Sequence, residues 1–181
     1  FAYWQNQVNV PVSLPCDFPE GSNSISNHTR ITARLDQTQT QALLKDAPAA
    51  YRTQVNDLLL AALGSVLCQW SGHQKILVDL EGHGREDLYL DIDLSRTIGW
   101  FTALFPVILD SSGDLPQRIK RIKESLRQMP NKGLGYGLFK HYGTAAQRQI
   151  IHGLPKAQVV FNYLGQFDSS FGEQAPWMLA D

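Results

Sequence analysis

"KILVDLEGHGRE", residues 75 to 86, is a strand that runs into a turn. Alternation puts Leu77, Asp79 and Glu81 on one face and Ile76, Val78 and Leu80 on the other. Glu81 stands at the strand's end, where Gly82 and Gly84 let the backbone turn sharply and leave room for a ligand. His83, Arg85, Glu86 and Asp87 crowd the same turn. A partly desolvated Glu81 is therefore a candidate general base, with Arg85 orienting it or stabilising developing charge. A polar loop in which Arg85 pairs with a carboxylate is the alternative. His83 is read as a loop histidine, and no other His, Cys or carboxylate lies at metal-ligand spacing from it.

Working outward, residues 53 to 71, "TQVNDLLLAALGSVLCQWS", form the strongest helix. Thr53 is placed to cap it, and Val55, Leu58, Leu59, Ala62, Leu63, Val66, Leu67 and Trp70 recur at helical spacing, predicting a buried helix. "WFTALFPVIL" (100 to 109) is a second apolar strand, and Pro106 assigns it to a sheet edge or a bulge. Asp114 caps a helix over 115 to 129, with Leu115, Ile119, Ile122, Leu126 and Met129 on one stripe and a basic remainder read as a solvated surface. Pro130 stops it, and "NKGLGYG" reads as a glycine-rich segment, a flexible loop or a close-packing turn. That segment follows no strand and has no GK[ST], so it does not read as a phosphate cradle.

Nearer the start, residues 10 to 27 are a Pro, Ser, Gly and Asn-rich linker, and "FAYWQNQ" before it is the tail of an element. "TRITARLD" alternates as a strand, and "QTQTQALLKDA" is a short helix stopped by Pro48. Near the end, "VVFNYLGQFD" (159 to 168) alternates as a strand. Asn162 inside so apolar a run needs a partner or a cavity. Strands and helices intermix without a repeat, giving an α/β or α+β lobe with a mixed sheet.

Composition narrows the function classes. The 181 residues are 43% hydrophobic and 18% charged, with 16 Lys plus Arg against 17 Asp plus Glu. That near balance gives no global field favouring nucleic acid or an anionic membrane. No run approaches the roughly 18 to 20 apolar residues of a spanning helix, and the start is not patterned as a signal peptide, so the expected location is cytoplasmic. Cys16 and Cys68 are read as two reduced thiols. Ser111 and Ser112 stand in no G-x-S-x-G elbow, which disfavours a serine hydrolase.

Five blocks in order, "NDLLLAALG" (56 to 64), "EGHGRE" (81 to 86), "RTIGWFTALFPVIL" (96 to 109), "PNKGLGYG" (130 to 137) and "FNYLGQFD" (161 to 168), resemble the epimerization domains of nonribosomal peptide synthetases, within the condensation-domain superfamily. The resemblance implies one chloramphenicol-acetyltransferase-like α/β lobe, a mixed β-sheet flanked by helices. It implies that residues 1–27 are the inter-lobe linker with the end of a preceding element, and 28–181 a C-terminal lobe incomplete at its end. The family's HHxxxD motif belongs to the first lobe, and no adjacent histidine pair occurs in this sequence.

The implied reaction is conversion of a carrier-bound L-aminoacyl or peptidyl thioester to the D form by Cα deprotonation and reprotonation. By the same matching, Glu81 is one acid/base, Arg85, Asn162 and Tyr163 support it, and a first-lobe histidine is the other catalytic group. Asn162 and Tyr163 point to opposite faces of a regular strand, so at most one faces the tunnel unless a bulge intervenes. Arg96 and Trp100 are expected to be structural. No cofactor is bound directly; the substrate rides on the 4'-phosphopantetheine of a peptidyl carrier protein. The partners are that carrier and the first lobe, with no nucleic acid and no membrane, and the 181 residues alone are expected to be inactive. The alternatives are a condensation or dual-function domain, and a member of the superfamily that only scaffolds.

Overall fold

The computed structural model describes residues 1–6, 10, 13–86 and 91–165. Among the described residues, three strands make one sheet: β1 (Lys75–Gly82), β2 (Ala103–Asp110) and β3 (Val160–Asn162), in the order β2-β1-β3. β1 and β2 are antiparallel, with Lys75 opposite Asp110 and Gly82 opposite Ala103. β1 and β3 are parallel, with Asp79 opposite Val160 and Glu81 opposite Asn162. The sheet is therefore mixed, as expected, and β2 lies at its edge among the described strands. Pro106 in β2 needs no ladder partner on its outer side, which is why a proline is tolerated there.

One face of the sheet carries Ile76, Val78 and Leu80 with Phe105, Val107 and Leu109, all buried. Helices α4 (Val55–Ser71) and α5 (Leu115–Gln128) pack on it. α6 (Leu134–Tyr142) lies against β2, and α7 (Ala145–Gly153) against α6. The initial "FAYWQNQ" contributes α1 (Ala2–Asn6), whose Trp4 is 2% exposed and sits edge-on to Tyr136 and near Phe105. Cys16 is exposed and Cys68 buried, both free.

Several local expectations change in tertiary context. "TRITARLD" forms no strand, and Ile31 is 93% exposed. A strand needs a neighbour to pair its backbone, and none of the described strands runs beside it. The next segment does not stop at Pro48. α2 (Gln37–Gln41), capped by Asp36, passes through a widened π turn (Ala42–Asp46) into α3 (Ala47–Tyr51). Pro48 follows directly on the widened turn, where the altered hydrogen-bond spacing accommodates a residue with no N–H to donate. The run ends instead at Arg52, in the left-handed region with φ 50°.

α4 begins later than expected, with Gln54 rather than Thr53 at its cap, and the Asp57 carboxylate accepts the Gln54 N–H at 2.9 Å. Its buried face is Asp57, Leu58, Leu60, Ala61, Gly64, Leu67 and Cys68, whereas Val66 and Trp70 are exposed. The apolar residues run around most of this helix, so periodicity alone does not identify the side that packs.

α5 is capped by Asp114 as expected, and Ile119, Ile122 and Met129 are buried while Leu115 is exposed. Its basic side is more than a solvated surface. Lys123 Nζ donates to the Tyr51 carbonyl and Arg127 Nη2 to the Arg52 carbonyl, each at 3.3 Å, so the helix holds the open C-terminal end of α3. Arg121 donates to the Ser112 carbonyl at 2.8 Å and to Asp110 at 3.2 Å. Of the two readings of "NKGLGYG", the close-packing turn holds for its first half, a 3-10 turn (Pro130–Gly133), and the rest is helix, since the turn leads directly into α6. Asn131 and Lys132, both non-glycine, take left-handed backbone at φ 49° and 48°. Asparagine tolerates this conformation, whereas for lysine it costs roughly 1–2 kcal/mol.

Asp110 offers a pH test of the β2–α5 junction. Burial raises its carboxyl pKa, but hydrogen bonds from the Ser112 hydroxyl and N–H, Lys75 and the nearby Arg121 charge outweigh it, and the net value lies below the usual range. A depressed carboxyl contributes stability above its unfolded pKa of about 3.9, lost as pH falls through the folded value. Asp110→Asn is therefore expected to lower the melting temperature at pH 7, with the gap closing below about pH 4; a gap independent of pH would contradict this linkage.

Candidate functional site

The C-terminal end of β1 opens on a cavity of about 500 Å³. Its polar lining includes Asn56 and Asp57 from the start of α4, Glu81 and His83 from β1 and its turn, and Lys132 from the α5–α6 connection. Leu80, Phe105 and Met129 supply an apolar floor. Asn56 Oδ1 is buried with no partner among the described residues, leaving an acceptor at the cavity wall. Three-member clusters of His, Cys, Asp or Glu suited to a metal ion are absent among the described residues.

Glu81 stands half-buried at the rim, directly beside Asn162 across the β1–β3 ladder. In-register partners of neighbouring strands project to the same face about 5 Å apart. The sheet thus brings together a carboxylate and an amide 81 residues apart in number, on strands whose pairing no local pattern reveals. Asn162 is exposed rather than buried, so the need for a buried partner that its apolar neighbours suggested does not arise. Tyr163 follows the last residue of β3 and is 36% exposed. Residues 166 to 168 of the "FNYLGQFD" block lie outside the described residues.

Arg85 departs from its expected role. Its guanidinium donates to the Leu94 carbonyl at 2.8 Å and the Gly99 carbonyl at 3.3 Å, and stacks 4.1 Å over the Phe101 ring. Guanidinium forks suit such combined hydrogen bonding and stacking. Arg85 therefore holds the β1–β2 connection against the turn, instead of orienting Glu81. Trp100, expected to be structural, is 90% exposed.

Two residues are not recognisable as a pair from sequence. The Glu86 carboxylate meets His83 Nε2 at 3.2 Å and pairs with Lys132 Nζ. His83 Nδ1 in turn accepts the Arg85 N–H at 3.0 Å, so His83 is indeed a loop residue that closes its own turn. Glu86 is visible in "EGHGRE", but Lys132 belongs to a segment whose glycines suggest a loop or a turn.

A second, smaller cavity of about 200 Å³ touches the sheet at Asp79, on the face that also carries Glu81 and opposite to Leu80 and Phe105, beside Tyr136, Lys140 and His152. Burial raises the Asp79 pKa, partly offset by Lys140. Burial also raises that of Tyr136, with the Asp79 charge adding to it. A carboxyl raised on folding favours the fold below its unfolded pKa of about 3.9 and loses that contribution as pH rises through the folded value. Asp79→Asn is expected to raise the melting temperature at pH 7 and to have no such advantage near pH 3; a lower melting temperature at pH 7 would show that the ionised carboxylate is stabilising.

A family model for the condensation domain matches residues 1–178. The chain is 43% identical over 171 residues to a linear gramicidin synthase of Brevibacillus parabrevis, covering 93% of this chain and 2% of that protein. It is 42% identical over 171 residues to gramicidin S synthase 1 of Brevibacillus brevis, covering 92% and 16% respectively. Among solved structures, the epimerization domain from the third module of tyrocidine synthetase B is similar at a TM-score of 0.81 and 40% identity, over 92% of this chain and 39% of that one. The chain thus spans a small part of these curated relatives. No described helix is long and apolar enough to cross a membrane.

Proposed function

The chain belongs to the condensation-domain family of nonribosomal peptide synthetases, and from that membership we propose that it is the C-terminal-lobe part of an epimerization domain. The division into linker (1–27) and lobe (28–181) belongs to the same proposal. The substrate is an L-aminoacyl or peptidyl thioester on the 4'-phosphopantetheine arm of a carrier protein, and the product is its D form. The reading is supported most directly by Glu81, a carboxylate at the mouth of a cavity with the Asn162 amide beside it on the next strand.

In this reading Glu81 exchanges the Cα proton with the substrate. The C–H electron pair moves into the thioester carbonyl, giving an enolate whose oxygen needs a donor. The Asn162 amide, on the same face, supplies that donor, and Tyr163, the next residue along, has a supporting role from beyond the end of β3. Arg85 acts at one remove, through the loop that it fastens. Inversion requires protonation of the opposite face by a second group, for which the first-lobe histidine is the candidate.

The test is deuterium wash-in at Cα of the loaded substrate in heavy water, using the full-length protein, with chiral analysis of the product. Exchange with a D-residue and no new peptide bond supports epimerization. A new peptide bond without exchange replaces it with condensation, and neither product leaves a scaffold.

A further inference from the structure

We propose that Glu86 and Lys132 form a latch that holds the Glu81 turn in place, making both positioning residues for the chemistry proposed above, on which this inference rests. The two lie 46 residues apart, one on each side of the cavity rim. Glu86 is nearly enclosed, with its side chain 12% exposed, and both carboxylate oxygens are engaged, Oε1 with His83 and Oε2 with Lys132. The Lys132 side chain is 66% exposed. A pair with so open a cation contributes little to global stability, yet the chain adopts a costly geometry to form it.

That geometry is the left-handed backbone of Asn131 and Lys132. A connection that only joined α5 to α6 would place glycine there without strain. Gly133 seats the turn against the end of the sheet: a Cβ at this position would fall 2.2 Å from the Phe105 ring. With the turn so seated, the Lys132 ammonium reaches Glu86. The segment 83–86 is thereby held from two directions, by Arg85 on the Leu94 and Gly99 carbonyls and by Glu86 on Lys132. Glu81 sits two residues before this clamped segment. An error of about 1 Å in a reacting group costs on the order of 100-fold in rate, so a turn carrying an acid/base has reason to be fixed by a contact that adds little stability.

The test uses the full-length protein with a loaded carrier, reading the Cα exchange rate, the thermal midpoint and amide hydrogen exchange at residues 82–86. Glu86→Gln and Lys132→Met are each expected to slow Cα exchange about tenfold and to speed amide exchange in the turn, with Lys132→Arg restoring most of both. Lys132→Gly separates positioning from folding, because it relieves the left-handed backbone while removing the ammonium. It is expected to match Lys132→Met in rate without a lower midpoint. Unchanged rates in Lys132→Met and Lys132→Gly would overturn the latch, as would rate losses that follow the midpoint across all variants. If the unmutated protein exchanges no Cα proton, the epimerization reading fails, and turn protection alone decides: protection unchanged in Lys132→Met overturns the latch, and protection lost supports it.

Discussion

Glu81→Gln in the full-length protein is expected to slow Cα proton exchange of the carrier-bound thioester by 100-fold or more, within the roughly 10²–10⁴ that a positioned acid/base contributes. Glutamine keeps the size and shape of the side chain at the rim but cannot accept the proton. The substitution removes an interaction made in the transition state, so binding of the loaded carrier should be nearly unchanged while the rate falls. Glu81 is half-buried and at the end of β1, where the side chain carries no core packing, so the fold should tolerate the change. Exchange within a few-fold of the unmutated rate would move the essential base out of this chain. A collapse of carrier binding together with the rate would instead assign Glu81 to substrate binding.

What the sequence disclosed, and what it hid, follows the range of the interactions involved. Asp114 as a cap, Pro106 on an edge strand and the alternation of 76 to 81 are local features, fixed by neighbours within a few residues, and all stand in the structure. The strand-like pattern of 29–36 failed because pairing depends on a partner that alternation cannot specify. The glycines of "NKGLGYG" read as a loop or a turn, yet tertiary packing against Trp4 and Phe105 outweighs their weak helix propensity. In α4, leucine and alanine on nearly every side concealed which face is buried. At the site, one strand end is enough to propose Glu81. Its juxtaposition with Asn162 requires the β1–β3 register, and the Glu86–Lys132 pair requires the unusual backbone of Asn131 and Lys132. Arg85 stands in the turn in the sequence, but its partners are carbonyls 9 and 14 residues onward, which composition does not indicate.

Gly84→Ala is expected to destabilise the turn by about 3 kcal/mol or more, at the upper end for a single substitution. Two costs coincide at this buried position. Its φ of 69° is left-handed, which a side chain adopts at roughly 1–2 kcal/mol. A Cβ there would also lie 1.6 Å from the Phe101 carbonyl oxygen and 2.6 Å from its carbon, so the obstacle is backbone that no rotamer change can relieve. Moving Phe101 away would break its stack with Arg85 and loosen the bonds from Arg85 to Leu94 and Gly99. Gly72→Ala is the matched control, since that residue has a similar φ of 73° but nothing within 4 Å of the added Cβ. It should cost only the conformational part, roughly 1–2 kcal/mol. Gly84→Asn makes the division sharper, because asparagine tolerates left-handed backbone but carries the same Cβ. Amide exchange at 81–86 and 99–102 should therefore rise strongly in both Gly84 variants and stay near the unmutated level in Gly72→Ala. If Gly84→Asn were protected like the unmutated protein, the close approach of Phe101 to the turn would be wrong, and with it the account of how Arg85 fastens the loop.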